Sequence, residues 1–165
     1  NTDYLVIPSV SSERRRYVPI GYLDSNTIAT NLVLIVPNAE LYHFSVLTSN
    51  VHMAWMRAFG GRLKSDYRYS GNIVFNNFPW PELNEAYRTV LSRSGQKILK
   101  VREQYPDASL ADLYDELTMP NELRKAHREN NKAVMNAYGF DLQMTEEECV
   151  AALMELYESK IKSGT

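Results

Sequence analysis

Arg62, Lys64, Asp66 and Arg68 occupy alternate positions in the stretch GGRLKSDYRYSGNIVFNNFPWP, residues 60–81. In an extended chain successive side chains point to opposite sides, so these four would share one face, and Leu63, Ser65, Tyr67 and Tyr69 the other. One face then carries a row of long donors with a single acceptor, spaced roughly 6.5–7 Å apart. Such a row suits reading the edges of a polar polymer better than it suits packing. In a DNA major groove Lys donates to guanine O6 and N7, and Asp accepts from cytosine N4. Lys64 and Asp66 could therefore read both members of one G·C pair, with Arg68 reaching the next pair or a phosphate. The competing reading is an exposed edge strand guarded by its charges, whose ion pair contributes about 0–1 kcal/mol.

A second cluster lies upstream. Ser11-Ser12-Glu13-Arg14-Arg15-Arg16 separates two apolar runs. Ser12, Arg14, Arg15 and Arg16 offer donors of the kind that contact phosphates. A solvated loop is the alternative, because charge runs usually lie at the surface.

Other chemistries find little support. His43, His52 and His127 do not recur at metal-ligand spacing. His43 is expected to be partly buried and His127 to lie on a helix surface. No Gly-x-Gly cofactor loop is present, and no Ser/His/Asp arrangement is supported by spacing. Asn76-Asn77-Phe78-Pro79 resembles the Asn-Pro-Pro-Tyr/Phe loop of amino-methyltransferases but departs from it where Phe78 replaces Pro. It reads as a structural strand exit.

The elements that position these residues can be read from periodicity. Tyr4–Ile7, Tyr17–Tyr22 and 32–36 are short β-branched or aromatic runs bounded by turn residues, hence strands. Residues 40–59 read as helix, broken near 48–50 and ended by Gly60. A strand at 62–69 then turns at Ser70-Gly71-Asn72 into a second strand at 73–78. After Pro81 apolar residues recur at helical spacing in four segments. The first runs from Leu83 to Tyr105, with Gly95 a weak point inside it. The last opens on the capping box Thr145-x-x-Glu148. The expected class is α+β: a partial mixed sheet with packed helices over residues 1–81, then a small all-α bundle over 82–165.

Composition bounds the remainder. With 165 residues, 44% of them hydrophobic, the chain can bury a core. Its net charge of −2 hides an asymmetry: residues 1–80 carry seven basic and five acidic side chains, the rest eleven and fifteen. A basic patch therefore belongs in the first half. Cys149 is the single cysteine, so no disulfide framework exists, in keeping with a cytoplasmic setting. No run approaches the length of a membrane span. Asn1-Thr2-Asp3-Tyr4 leads almost directly into an apolar strand, as in a fragment of a longer chain.

Several strings together resemble one family. They are Ile7-Pro8-x-Val10-Ser11-Ser12-Glu13-Arg14-Arg15, Ile20-Gly21-Tyr22-Leu23-Asp24, Leu41-Tyr42-His43-Phe44, His52-Met53-Ala54-Trp55-Met56-Arg57, Gly61-Arg62-Leu63-x-Ser65-x-Tyr67-Arg68-Tyr69-Ser70, Asn76-Asn77-Phe78-Pro79-Trp80-Pro81, Leu113-Tyr114-Asp115 and Leu123-Arg124-Lys125-Ala126-His127. The family is the Type IIL, MmeI-type restriction-modification enzymes. The resemblance implies that 1–81 is the later part of a target recognition domain and 82–165 a C-terminal helical domain. It implies double-stranded DNA as partner and a non-catalytic role for this fragment. Upstream nuclease and adenine methyltransferase domains of the same polypeptide would use Mg2+ and S-adenosylmethionine. It also implies base readout by Lys64 and Asp66, a second specificity pair in Arg68 and Leu32, and phosphate or scaffold roles for Arg14, Arg15, Arg62 and Tyr69. The alternatives are a non-catalytic protein-interaction module built on the helical half and, with poorer support, an autonomous enzyme.

Overall fold

The computed structural model describes residues 3–164. Strands β1 (Tyr4–Pro8), β3 (Gly21–Leu23) and β4 (Val33–Val36) form one antiparallel sheet in the order β3-β1-β4, and β2 (Val10–Ser11), β5 (Gly61–Leu63) and β6 (Asp66–Arg68) form another in the order β2-β6-β5. The helices are α1 (Leu41–Leu47), α2 (Asn50–Phe59), α3 (Glu85–Glu103), α4 (Leu110–Leu113), α5 (Asn121–Tyr138) and α6 (Glu146–Ser163). The class is α+β, with two small antiparallel sheets in place of one mixed sheet. Tyr17–Ile20, expected to be strand, is buried but unpaired, and only Gly21 onward joins the ladder.

Alternation explains the first sheet. In β1, Leu5 and Ile7 are wholly buried while Tyr4, Val6 and Pro8 face away from the core. The connection 24–32 returns along β1, where the Tyr4 hydroxyl donates to the Thr27 carbonyl. At Ser9 the chain passes from one sheet to the other. Its N–H donates to the Leu32 carbonyl at 3.2 Å, and its carbonyl accepts from Tyr69 N–H at 2.8 Å.

The helix break expected near 48–50 is present. Ser49 is an N-cap whose hydroxyl accepts from His52 N–H, so a new helix starts where α1 stops. Gly60 makes the tight exit from α2: a Cβ there would lie 2.5 Å from the Met56 carbonyl oxygen. α6 opens on the expected Thr145–Glu148 capping box and closes on Gly164 at φ 72°.

Helices from both halves share one core. Phe44, Leu47 and Met53 belong to the same buried cluster as Leu91, Ile98, Leu123 and Leu153. Asn130 of α5 ties three helices together inside it. Its Oδ1 accepts from Ser45 Oγ at 2.6 Å and Ser94 Oγ at 2.7 Å, and its Nδ2 donates to the Ser45 carbonyl at 2.8 Å. His127, expected at a surface, is wholly buried. It bonds Tyr114 at 2.6 Å and stacks on Tyr17, whose hydroxyl accepts from Asn131. Sequence periodicity reports which face of a helix is apolar. It does not report that a polar residue on that face has found a buried partner.

Gly95 is the crossing point of α1 and α3. A Cβ there would meet the Leu41 carbonyl oxygen at 2.9 Å and the side chains of Phe44 and Ser45 at 3.4 Å. Gly95→Ala should therefore lower stability by about 1–2 kcal/mol, overpacking outweighing the gain in helix propensity. Urea unfolding checks this; a stabilised variant would show that the crossing has room.

Candidate nucleic-acid interface

The stretch 62–69 is not one strand. It is a hairpin with a two-residue turn at Lys64-Ser65, in which Arg62 pairs with Tyr67 and Leu63 with Asp66. Lys64 has φ 59°, and Ser65 is not among the positive-φ residues. Positive φ at the first central position only is the φ signature of a type II′ turn, whose twist matches the flanking strands. A non-glycine residue held there carries strain, and such outliers concentrate at functional positions.

The turn reassigns the faces. Directly paired residues point the same way, so Asp66 lies with Leu63, and Arg68 with Gly61 and Val10. Arg62 lies on the other face with Tyr67 and Ser11, not beside Lys64, Asp66 and Arg68 as an unbroken strand would have it. On that face the Arg62 guanidinium sits 4.0 Å from the centre of the Tyr67 ring. Its Nη1 donates to the Ser65 carbonyl at 2.8 Å.

The second expected strand, 73–78, is also absent. Gly71–Phe75 forms a single π-helical turn. Ser70 Oγ accepts from Ile73 N–H, and Asn77 Nδ2 donates to the carbonyls of Asn72 and Ile73. Trp55 Nε1 donates to the Val74 carbonyl at 3.0 Å, anchoring the turn to α2. Local Ser and Asn bonds offer the backbone an alternative to a ladder.

Pairing of β2 with β6 brings the arginine run to the hairpin. Val10 pairs with Arg68 and Ser11 with Tyr67, so the chain leaves the sheet beside Asp66. There Glu13 N–H donates to Asp66 Oδ1 at 3.3 Å across 53 residues of sequence. The loop is turned by Ser12, whose carbonyl accepts from Arg15 N–H and whose Oγ accepts from Arg14 N–H. Arg14 and Arg16 are exposed and Arg15 half-buried. Lys64, Asp66 and the three arginines thus gather at one end of one small sheet. Arg68 and Leu32 also draw close, because Ser9 bonds the Leu32 carbonyl and the next residue, Val10, pairs with Arg68. Leu32 is 73% exposed.

Tyr69 does not belong to this surface. It is buried, and its hydroxyl bonds His52 Nε2 at 2.7 Å. Burial raises its phenol far above the usual range and lowers the His52 imidazole to about 3, so both are neutral at ordinary pH. The pair ties the end of the hairpin to α2. The backbone N–H of Glu13 is the participant that sequence did not reveal: an amide carries no side-chain signal, and its partner is far away in the chain.

Residues 1–82 match the model of the MmeI target recognition domain, and residues 83–163 that of the MmeI C-terminal domain. The chain belongs to the MmeI family. One relative is DNA methyltransferase A of Bacillus subtilis (strain 168), 40% identical over 158 residues, which cover 95% of this chain and 18% of the relative. A solved structure of the Type IIL restriction-modification enzyme MmeI in complex with DNA is similar at 46% identity and a TM-score of 0.93, covering 98% of this chain and 22% of that one. The chain thus spans about a fifth of the length of these two proteins.

Among the described residues no group of three His, Cys, Asp or Glu side chains is placed to hold a metal ion. No helix among them is long and apolar enough to cross a membrane. Cys149 is buried, and burial pushes its thiol up to about 11, as suits a packing residue rather than a nucleophile.

Proposed function

We propose that this chain is the sequence-reading portion of a larger adenine-specific DNA methyltransferase and restriction endonuclease. The hairpin tip enters the major groove. Lys64 donates to a guanine edge and Asp66 accepts from the paired cytosine; Arg68 and Leu32 contact a neighbouring base pair. Arg14, Arg15 and Arg16, with Ser12, hold phosphates beside them. The observation that carries this reading is the Glu13–Asp66 bond, which packs the arginine loop against the turn. Separated, the two clusters would be ordinary surface charge; joined, they form a basic rim around a pair of opposite charges.

The division of labour is positional. Phosphate contacts fix orientation on the duplex, base contacts choose the sequence, and methyltransferase and nuclease domains of the same polypeptide act where they are placed. The fragment itself performs no catalysis. S-adenosylmethionine and Mg2+ belong to those other domains, and recognition runs through neither. A cytoplasmic location follows from a DNA substrate within the cell.

Salt dependence tests the phosphate contacts. Arg14→Gln with Arg15→Gln in the parent enzyme should weaken binding almost equally on all sequences and make the log–log salt slope shallower by about two. An unchanged slope would remove the arginine loop from the interface. A parent whose binding ignores salt altogether would favour a protein-interaction role for this chain.

A further inference from the structure

Arg62 lies in the hairpin but its guanidinium is already committed. It stacks 4.0 Å from the centre of the Tyr67 ring, directly across the ladder, and donates to the Ser65 carbonyl at 2.8 Å. That carbonyl belongs to the peptide joining Ser65 to Asp66. It lies one peptide beyond the Lys64–Ser65 peptide at the centre of the turn, where Lys64 holds φ 59° without the freedom of glycine. The geometry points to Arg62 as a positioning residue that locks the base-reading turn, rather than a contact to the DNA backbone.

Two independent restraints then act on the reading pair. From one side Glu13 N–H holds the Asp66 carboxylate. From the other Arg62 fixes the plane of the 65–66 peptide at the exit of the turn, and so the direction in which Asp66 projects relative to Lys64. Tyr67 is buried, which makes its ring a packed base for the guanidinium. The role requires a planar, forked cation. A lysine could supply the charge but neither the stack nor the fixed fork. Two-residue turns interconvert by peptide rotation. An unlocked turn would offer its donors to several base patterns instead of one.

This inference rests on the reading that Lys64 and Asp66 contact a base pair. It is tested in the full-length parent enzyme with Arg62→Ala, Arg62→Lys and, in parallel, Lys64→Ala. Methylated sites are sequenced to give base preference at each position, and DNA binding is titrated with salt. Both Arg62 variants should relax preference at the base pair lost in Lys64→Ala, by roughly five- to tenfold, part of a full base contact. Preference elsewhere and the salt slope should stay as in the wild type. If Arg62→Lys behaves as wild type while Arg62→Ala flattens the slope by about one with preference intact, Arg62 is a phosphate contact and the inference fails. Equal loss at all positions would mark a merely structural residue and overturn it as well. Should Lys64→Ala leave every position unchanged, the base-reading assignment itself falls. Amide exchange across residues 63–66 then decides the clamp separately: faster exchange in Arg62→Ala upholds it, and unchanged exchange refutes it.

Discussion

Exchanging the charges of the reading pair, as Lys64→Glu with Asp66→Arg, should invert the preferred base pair from G·C to C·G at one position of the parent enzyme's site. Each good bidentate contact discriminates by about 1–3 kcal/mol, so the preference should reverse by ten- to a hundredfold or more. The fold should tolerate the exchange. Lys64 is exposed, and glutamate meets the same cost of positive φ that lysine already bears. Asp66→Arg removes the acceptor for Glu13 N–H, but that amide lies on an exposed loop where water replaces the carboxylate. Surface changes of this kind usually alter stability by about 0.5 kcal/mol or less. Methylation and cleavage should move together, since both would depend on one recognition surface. Sequencing of methylated sites reads the result, and a preference unchanged at every position would sink the assignment.

Acid should unfold the chain steeply, and two histidines account for it. His52 and His127 are both buried, at 1% and 0% exposure. Burial lowers the first from 6.5 to about 3; burial, and then the neighbouring Arg102 charge, hold the second well below its ordinary value. The Nδ1 atom of each has no hydrogen-bond partner, so a protonated ring would carry a buried donor with no acceptor. An unfolded chain takes up both protons near pH 6.5, and the folded chain does not. Stability is therefore whole above that pH and lost as pH falls toward the folded values, at about 1.4 kcal/mol per pH unit for each group. His52 alone gives about 1.4 kcal/mol per unit between pH 6 and 4, and His127 adds to it in the same direction, against the roughly 5–15 kcal/mol that holds a domain folded. Urea midpoints across that range should show the fall, and His52→Gln should make it shallower by removing one titrating group. A midpoint that stays level from pH 7 to 4 would mean the rings are not buried as described.

Most of the helical half was legible. Its helices were visible in apolar spacing, and the Thr145–Glu148 box marks the start of α6 through bonds made within a few residues. The sheets were less so. A continuous strand and a two-residue hairpin share the same alternation on either side of the turn. Only the positive φ of Lys64, a residue type that seldom adopts it, separates them. Reading the run as one strand kept Arg62 beside Asp66, whereas the turn swaps parity and sends Arg62 to the opposite face. Tyr69 was named for a phosphate or scaffold role through the family resemblance, and the structure buries it, because His52, 17 residues earlier, bonds its hydroxyl inside the core.

By itself the sequence determined the α+β class, several helix ends, the family, and the residue types proposed to read bases, because these depend on spacing, capping and composition within short windows. Tertiary structure alone decided which of those residues act together. The pairing of β2 with β6, the bend at Ser9 and the bond from Glu13 to Asp66 join segments some fifty residues apart. Such contacts are chosen by the free energy of burying the whole core, which no local window contains.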